Sequence, residues 1–274
     1  MSEAATGATE EFIVTKEYRR FAEFCDACRR DRYIGLCYGP PGVGKTLSAR
    51  QYSQWDSIEA VRPGYFWPKP PPIGATTWRT VLHTAPVTGN PGRIERDVRD
   101  LRQRVHLLVE DALLAGDEGV PVGASSTGRD LIELLIVDEA DRLRLAGLEQ
   151  LRDSYDRGGI GLILIGMPGL ERRMARYPQL YSRVGFVHQY RPLSGDELRF
   201  ILAHKWEQLG LTLDPSDYTD AEALAAITSI TGGNFRLIQR LFTQIERILA
   251  INGLHTISGE VVMAARQTLV IGEA

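Results

Sequence analysis

The sequence predicts an α/β fold, a parallel sheet flanked by helices and followed by a small helical lid. Three observations lead there. Short, wholly apolar runs (YIGLCY at 33–38, LLIV at 134–137, IGLILI at 160–165) alternate with stretches of helical periodicity. A glycine-rich turn, GPPGVGKT at 39–46, separates the first run from the helix that follows. Beyond Pro192 the pattern is helical throughout.

Taken in order, residues 1–11 are mostly small or acidic and read as a flexible N-terminal arm. Over 15–30, Tyr18, Phe21, Cys25 and Cys28 recur near helical spacing, an amphipathic helix. The strand at 33–38 runs into the glycine loop, and a helix follows at 46–54. The stretch RPGYFWPKPPP at 62–72 reads as an insertion loop, because its prolines forbid regular structure. A second strand is expected at 80–85. Ile94, Val98, Leu101, Val105 and Leu108 then mark an amphipathic helix by 4-3-4-3 spacing. Residues 116–128 form a glycine- and serine-rich loop. Strands are expected at 131–137, 160–165 and 186–190, and helices at 196–209, 221–231, 234–252 and 258–269. No internal repeat is visible. An α/β domain over 12–191 and a lid over 192–274 follow from that order.

Composition narrows the function classes. The 274 residues are 43% hydrophobic with a net charge of −3, which suits a soluble globular protein and not a disordered one. The length leaves no room for two tandem helicase cores. There is no apolar run of about 18 residues, and the N-terminus lacks the basic-then-apolar order of a secretory signal. A cytoplasmic location with no membrane partner is expected. Near-neutral charge means that any polyanion must be met by a local patch. All but four basic residues are arginine, a side chain suited to bidentate phosphate contacts. Cys25 and Cys28 form a CxxC, but no second ligand pair stands at a zinc spacing, so packed thiols are the expectation.

The chemistry sits in two motifs. Gly39, Pro40, Pro41, Gly42, Val43, Gly44, Lys45 and Thr46 match GxxxxGK[ST], placed after a buried strand and before a helix. Backbone N–H groups of such a loop, through Leu47, cradle the phosphates of a nucleotide, here taken as ATP. Lys45 supplies charge to the β- and γ-phosphates, and the Thr46 hydroxyl is a Mg²⁺ ligand. Some 90 residues on, an apolar strand ends in Asp138 and Glu139. If the two strands are parallel neighbours, both carboxylates lie beside the loop. Asp138 is then the second Mg²⁺ ligand and Glu139 the group that polarises the attacking water. Asp138-Glu139-Ala140-Asp141 spells DEAD, but the other helicase motifs are missing, and Asp141 is read as capping or orienting the next helix.

The remaining motifs resemble P-loop NTPases of the AAA+ type. Arg183, in YSRVG before the last strand, stands where that family carries an arginine finger for the neighbouring subunit, with Arg172, Arg173 and Arg176 as rivals. Arg236, in GGNFR at the start of a lid helix, stands where the family carries its sensor-2 arginine. One departure stands out. The family's polar sensor-1 residue would fall near Gly166-Met167-Pro168, and Met167 cannot hold a water as Asn or Thr would. Either turnover is slow or another group makes that contact. IVDEADRL, LILIG and LYSRVGFVHQYRPLS further resemble the ATPases of DNA transposition of the MuB, TniB and TnsC type, with IstB more distant. That resemblance implies self-assembly into rings or helical filaments on double-stranded DNA and contact with a transposase. IGMPGLERR also resembles secretion ATPases of the ExeA type, whose nucleotide switch would need no DNA.

Two segments are basic. Residues 171–191 hold five arginines against Glu171 alone, and 93–104 hold five against three acids. The family architecture makes Arg93, Arg96 and Arg99 the DNA-contact candidates. The competing reading is a solvated face of Arg–Asp pairs. With no base-reading motif, DNA binding would be backbone-dominated and salt-sensitive.

Overall fold

The computed structural model describes residues 12–61, 71–115 and 130–269. Helix α1 (Lys16–Asp31) is capped by Thr15, whose side chain accepts the Tyr18 N–H at 3.0 Å. It leads to strand β1 (Ile34–Tyr38), helix α2 (Lys45–Ser53) and helix α3 (Trp55–Ala60). Then come β2 (Thr80–Thr84), α4 (Pro91–Ala115), β3 (Leu134–Asp138), α5 (Leu145–Gly158) and β4 (Gly161–Gly166). Two short helices, α6 (Leu170–Met174) and α7 (Pro178–Tyr181), precede β5 (Val184–Gln189). The chain closes with α8 (Gly195–Gln208), α9 (Tyr218–Thr231), α10 (Phe235–Asn252) and α11 (Gly259–Gln267).

Among the described residues the sheet has five strands, all parallel, in the order β2-β3-β4-β1-β5. The α/β expectation therefore holds, and the reason is visible in the strands themselves. β3 and β4 are buried at every position, as continuous apolar runs require when helices cover both faces. One sequence expectation is corrected. β3 is not the neighbour of β1, because β4 pairs with both and lies between them. Asp138 still comes beside the loop after β1, because the carboxyl ends of all three strands open on one crevice where the strand order reverses.

Boundaries moved for local reasons. β3 begins at Leu134, three residues late, because the N–H groups ahead of it are already used. Leu131 donates to His106 Nδ1, Ile132 to Asp130 and Glu133 to the Arg79 carbonyl. β5 begins two residues early, since the Ile34 N–H reaches the Arg183 carbonyl and extends the pairing with β1. α9 starts at Tyr218 instead of 221, because Asp217 caps it, accepting from Thr219 and Asp220. The short α3 was not anticipated. Residues 1–11, 116–128 and most of the 62–72 insertion lie outside the described residues.

Apolar side chains gather in two clusters. One joins the sheet to α1–α7, from Phe21 to Tyr190, and the other packs α8–α11, from Leu193 to Ala265. Cys25, Cys28 and Cys37 are buried, unpaired members of the first. Burial pushes all three thiols up, Cys28 to about 12, so they are inert at neutral pH. Among the described residues no group of three or more His, Cys, Asp or Glu is arranged to hold a metal.

The α1–β4 contact is tight enough to test. A Cβ built on Gly161 would lie 2.5 Å from the Cys28 carbonyl oxygen, a backbone atom that cannot swing away. Gly161→Ala is expected to cost ~1–3 kcal/mol of stability by overpacking. Urea unfolding should show a lower midpoint at unchanged slope. An unchanged midpoint would mean that the helix has room to shift.

Candidate functional site

The loop after β1 is shaped by its glycines. Gly42 and Gly44 take φ of +81° and +112°, backbone conformations that L side chains rarely adopt. Gly39 is required for space, since a Cβ there would meet the Tyr190 carbonyl oxygen at 2.2 Å. Tyr190 is held in turn by a 2.7 Å hydrogen bond between its hydroxyl and Ser48 of α2. The sequence reading missed this support, as nothing local connects residues 142 positions apart.

Lys45 opens α2, so its ammonium lies at a helix N-terminus, where unpaired N–H groups and the helix dipole favour an anion. Only 9% exposed, it donates to the Gly39 carbonyl at 2.6 Å and the Pro40 carbonyl at 2.8 Å. Burial holds its pKa below the usual lysine value, and Arg236 acts in the same direction. Cys37, Asp138 and Asp141 oppose that shift.

The Thr46 hydroxyl donates to Asp138 Oδ2 at 2.6 Å, and Asp138 Oδ1 accepts the Glu139 N–H at 2.8 Å. A hydroxyl and a buried carboxylate side by side are the hard oxygen donors that Mg²⁺ accepts when phosphates and water complete its shell. The donor set fits the expected ion. Glu139 borders the same cavity as Lys45 and Thr46, but its carboxylate has a partner that the sequence did not announce. It sits just beyond β3 at φ +54° with its carboxylate paired to Arg142, whose guanidinium also donates to the Ala85 carbonyl at 3.3 Å. The carboxylate borders the cavity but is already engaged.

Asp141 does not cap α5, whose N-cap is Arg144. Its carboxylate instead accepts the Met167 N–H at 3.2 Å, in space left by Gly166, where a Cβ would come within 2.8 Å of it. A third acid thus fills the β4 edge of the site, where β4 and the turn after it offer only glycine and methionine. Arg173 clamps the same turn by donating to the Asp141 carbonyl at 2.6 Å and to the Leu143 carbonyl.

Lys45, Thr46, Asp138, Glu139, Asp141, Met167 and Arg236 line one cavity of about 810 Å³. Across the loop, Phe12, Ile13, Val43, Leu47, Tyr190 and Phe235 line a second, more apolar one of about 340 Å³. The two share Gly44, Leu47 and Phe235, so an elongated ligand with an anionic and an aromatic end can span them.

Arg183 does not reach its own chain's cavity. Its Nε donates to Asp156 at 2.6 Å and its guanidinium also reaches the Gln179 carbonyl. Among its rivals Arg173 is committed as above, while Arg172 is 87% exposed, with Glu171 3.8 Å away. Arg176 is exposed. On α4, Arg93 pairs with Asp97 at 3.6 Å and Arg99 with Glu95 at 3.1 Å, and Arg96 is exposed. Beside them lies an open groove of about 590 Å³, lined by Arg99, Arg102 and Arg157 together with Glu95 and Asp130. Its basic groups meet acids on the same surface.

Residues 28–174 match the family model described as an AAA domain. The chain is 46% identical over 275 residues to a potential ATP-binding protein of Staphylococcus aureus, covering 96% of this chain and 98% of that one. It is 26% identical over 247 residues to the Mu-like prophage FluMu DNA transposition protein B of Haemophilus influenzae, covering 84% and 71%. Two solved folds are similar. The RuvB Holliday junction branch migration motor of Thermotoga maritima has a TM-score of 0.58 at 17% identity, covering 96% of this chain and 72% of that one. The ORC2 protein of Aeropyrum pernix has a TM-score of 0.55 at 18% identity, with the same coverage. The matched segment runs from the end of α1 to the end of α6 and takes in the loop, the Thr46–Asp138 pair and the β4 edge. The chain belongs to the AAA domain family and has the P-loop NTPase fold.

Proposed function

We propose that this protein is an ATP- and Mg²⁺-dependent AAA+ ATPase that oligomerises on duplex DNA, marks it as a target and recruits a transposase. The observation that carries the ATPase part is the single cavity joining Lys45, the Thr46–Asp138 pair, Glu139 and the lid's Arg236. The phosphate tail lies on the loop and the base enters the apolar cavity beside Phe12 and Phe235. Lys45 turns from the Gly39 and Pro40 carbonyls to the phosphates. Thr46 and Asp138 would hold Mg²⁺, which when bound would supply positive charge against the phosphates. Glu139, released from Arg142, orients the attacking water and takes its proton, and Arg236 meets the phosphates from the lid.

The transposition part is supported by the likeness to a DNA transposition protein over 84% of the chain. Arg93, Arg96 and Arg99 are its DNA contacts. A second reading, a nucleotide switch in secretion or signalling that never meets DNA, is favoured by the pairing of Arg93 and Arg99 with acids of their own helix. Electron microscopy with ATP, with and without plasmid DNA, separates the two. DNA-dependent rings or filaments support the transposition reading, and DNA-independent assemblies support the switch.

Arg183 is the proposed finger for a neighbouring subunit, freed from Asp156 on assembly. Arg183→Ala should keep its fold and ATP affinity but lose ATP-dependent oligomerisation and hydrolysis together, at ~10³-fold or more in rate. Mixed with Lys45→Ala, it should regain activity above the sum of the two, because some junctions then pair an intact loop with an intact finger. No gain at any ratio, with mixed assembly shown by cross-linking, transfers the role to Arg172 or Arg176.

A further inference from the structure

We propose that Asn234 is the positioning residue that keeps Arg236 in register with the phosphate loop, so that the lid and the loop answer to a nucleotide as one unit. The amide of Asn234 works in two directions. Its Oδ1 accepts the Leu237 N–H at 3.2 Å and caps α10. Its Nδ2 donates to the Pro41 carbonyl at 2.8 Å, in the middle of the loop. Two residues on, the Arg236 N–H donates to the Gly42 carbonyl at 2.9 Å.

Contact at Gly42 is close as well as polar. A Cβ there would lie 2.6 Å from Asn234 Oδ1 and 2.9 Å from the Cβ of Arg236. The glycine is therefore needed twice, for its positive φ and to admit the lid. Behind the clasp, the Leu193 N–H donates to the Gly233 carbonyl at 2.9 Å and ties the α9–α10 turn to the segment entering the lid. The first turn of α10 cannot rotate without breaking these bonds, and that turn carries Arg236 into the cavity shared with Lys45. A helix cap needs only an acceptor. Asparagine adds an amide donor that an aspartate cap lacks and that extends one bond farther than a serine hydroxyl.

This proposal rests on the ATP-binding reading, and the experiment tells the two failures apart. Asn234→Ser keeps a capping oxygen but cannot reach the Pro41 carbonyl with a donor. Its fold and unfolding temperature should match the parent's. In hydrogen exchange without nucleotide, the Arg236 amide should exchange faster while the Leu237 amide stays protected. ATP affinity, measured by calorimetry with Mg²⁺, should fall about tenfold, as expected for one lost hydrogen bond at an aligned site. In the Arg236→Ala background the same change should cost nothing further, since Asn234 acts through that arginine. Asn234→Asp, a strong cap that sets a carboxylate against the Pro41 carbonyl, should weaken binding at least as much and serves if the serine variant folds poorly.

Unaltered ATP affinity in both variants, or costs that add in full to that of Arg236→Ala, would overturn the proposal. Should the parent not bind ATP at all, the ATP-binding reading fails, and the proposal fails with it as a statement about nucleotide response. The exchange pattern then still decides the clasp itself.

Discussion

Lys45→Ala is expected to lower ATP affinity by about two orders of magnitude, equivalent to ~2.7 kcal/mol. The ammonium is buried, stands at the N-terminus of α2 and is held among loop carbonyls that a phosphate can replace. A charge-assisted bond in such a place is roughly twice as strong as a neutral one. Loss of the charge also removes a cation that interacts with Asp138 and Asp141, so their repulsion of a triphosphate would be less well opposed. The fold should survive, because the carbonyls of Gly39 and Pro40 can turn to water. Calorimetry on the folded variant checks the result. Parental affinity would remove the phosphate-loop assignment altogether.

Glu139→Gln should leave ATP binding near the parental value and reduce turnover by ~10²–10⁴-fold, the usual contribution of a positioned general base. Glutamine keeps the size of the side chain and can still accept from Arg142, so the left-handed turn at 139 and the β3–α5 connection should hold. The variant should therefore accumulate in its ATP-bound assembled form, visible by light scattering or microscopy. Single-turnover hydrolysis at the parental rate would exclude Glu139 as the base. Asp141, the other carboxylate facing the β4 edge of the cavity, would then be the next residue to replace.

Much of the fold was legible in the sequence for a simple reason. Strands with both faces covered must be apolar at every position, and β3 and β4 are. Helices with one covered face must repeat near 3.6 residues, as Phe21, Cys25 and Cys28 do on α1 and Ile94, Val98 and Val105 do on α4. What was misread lay at ends and turns. There a single N–H finding a carbonyl or carboxylate moves a boundary by two or three residues, as at Leu134, Val184 and Tyr218.

By itself the sequence determined the loop to which we assign phosphate binding as a proposal, because its parts are consecutive. Loop glycines, the lysine and the threonine act through their own backbone and neighbouring side chains, so order along the chain is almost order in space. It determined as well that a carboxylate pair would end an apolar strand. The partners of those groups were decided only by the tertiary structure. β4 lies between β1 and β3, and Asp138 meets Thr46 across the crevice at their carboxyl ends. Arg183 turned to Asp156, Arg142 to Glu139 and Asp141 to the Met167 amide. Asn234 reached a carbonyl 193 residues away. Long guanidinium side chains and short amides choose among whatever acceptors packing brings within hydrogen-bond distance, and no local spacing encodes that choice.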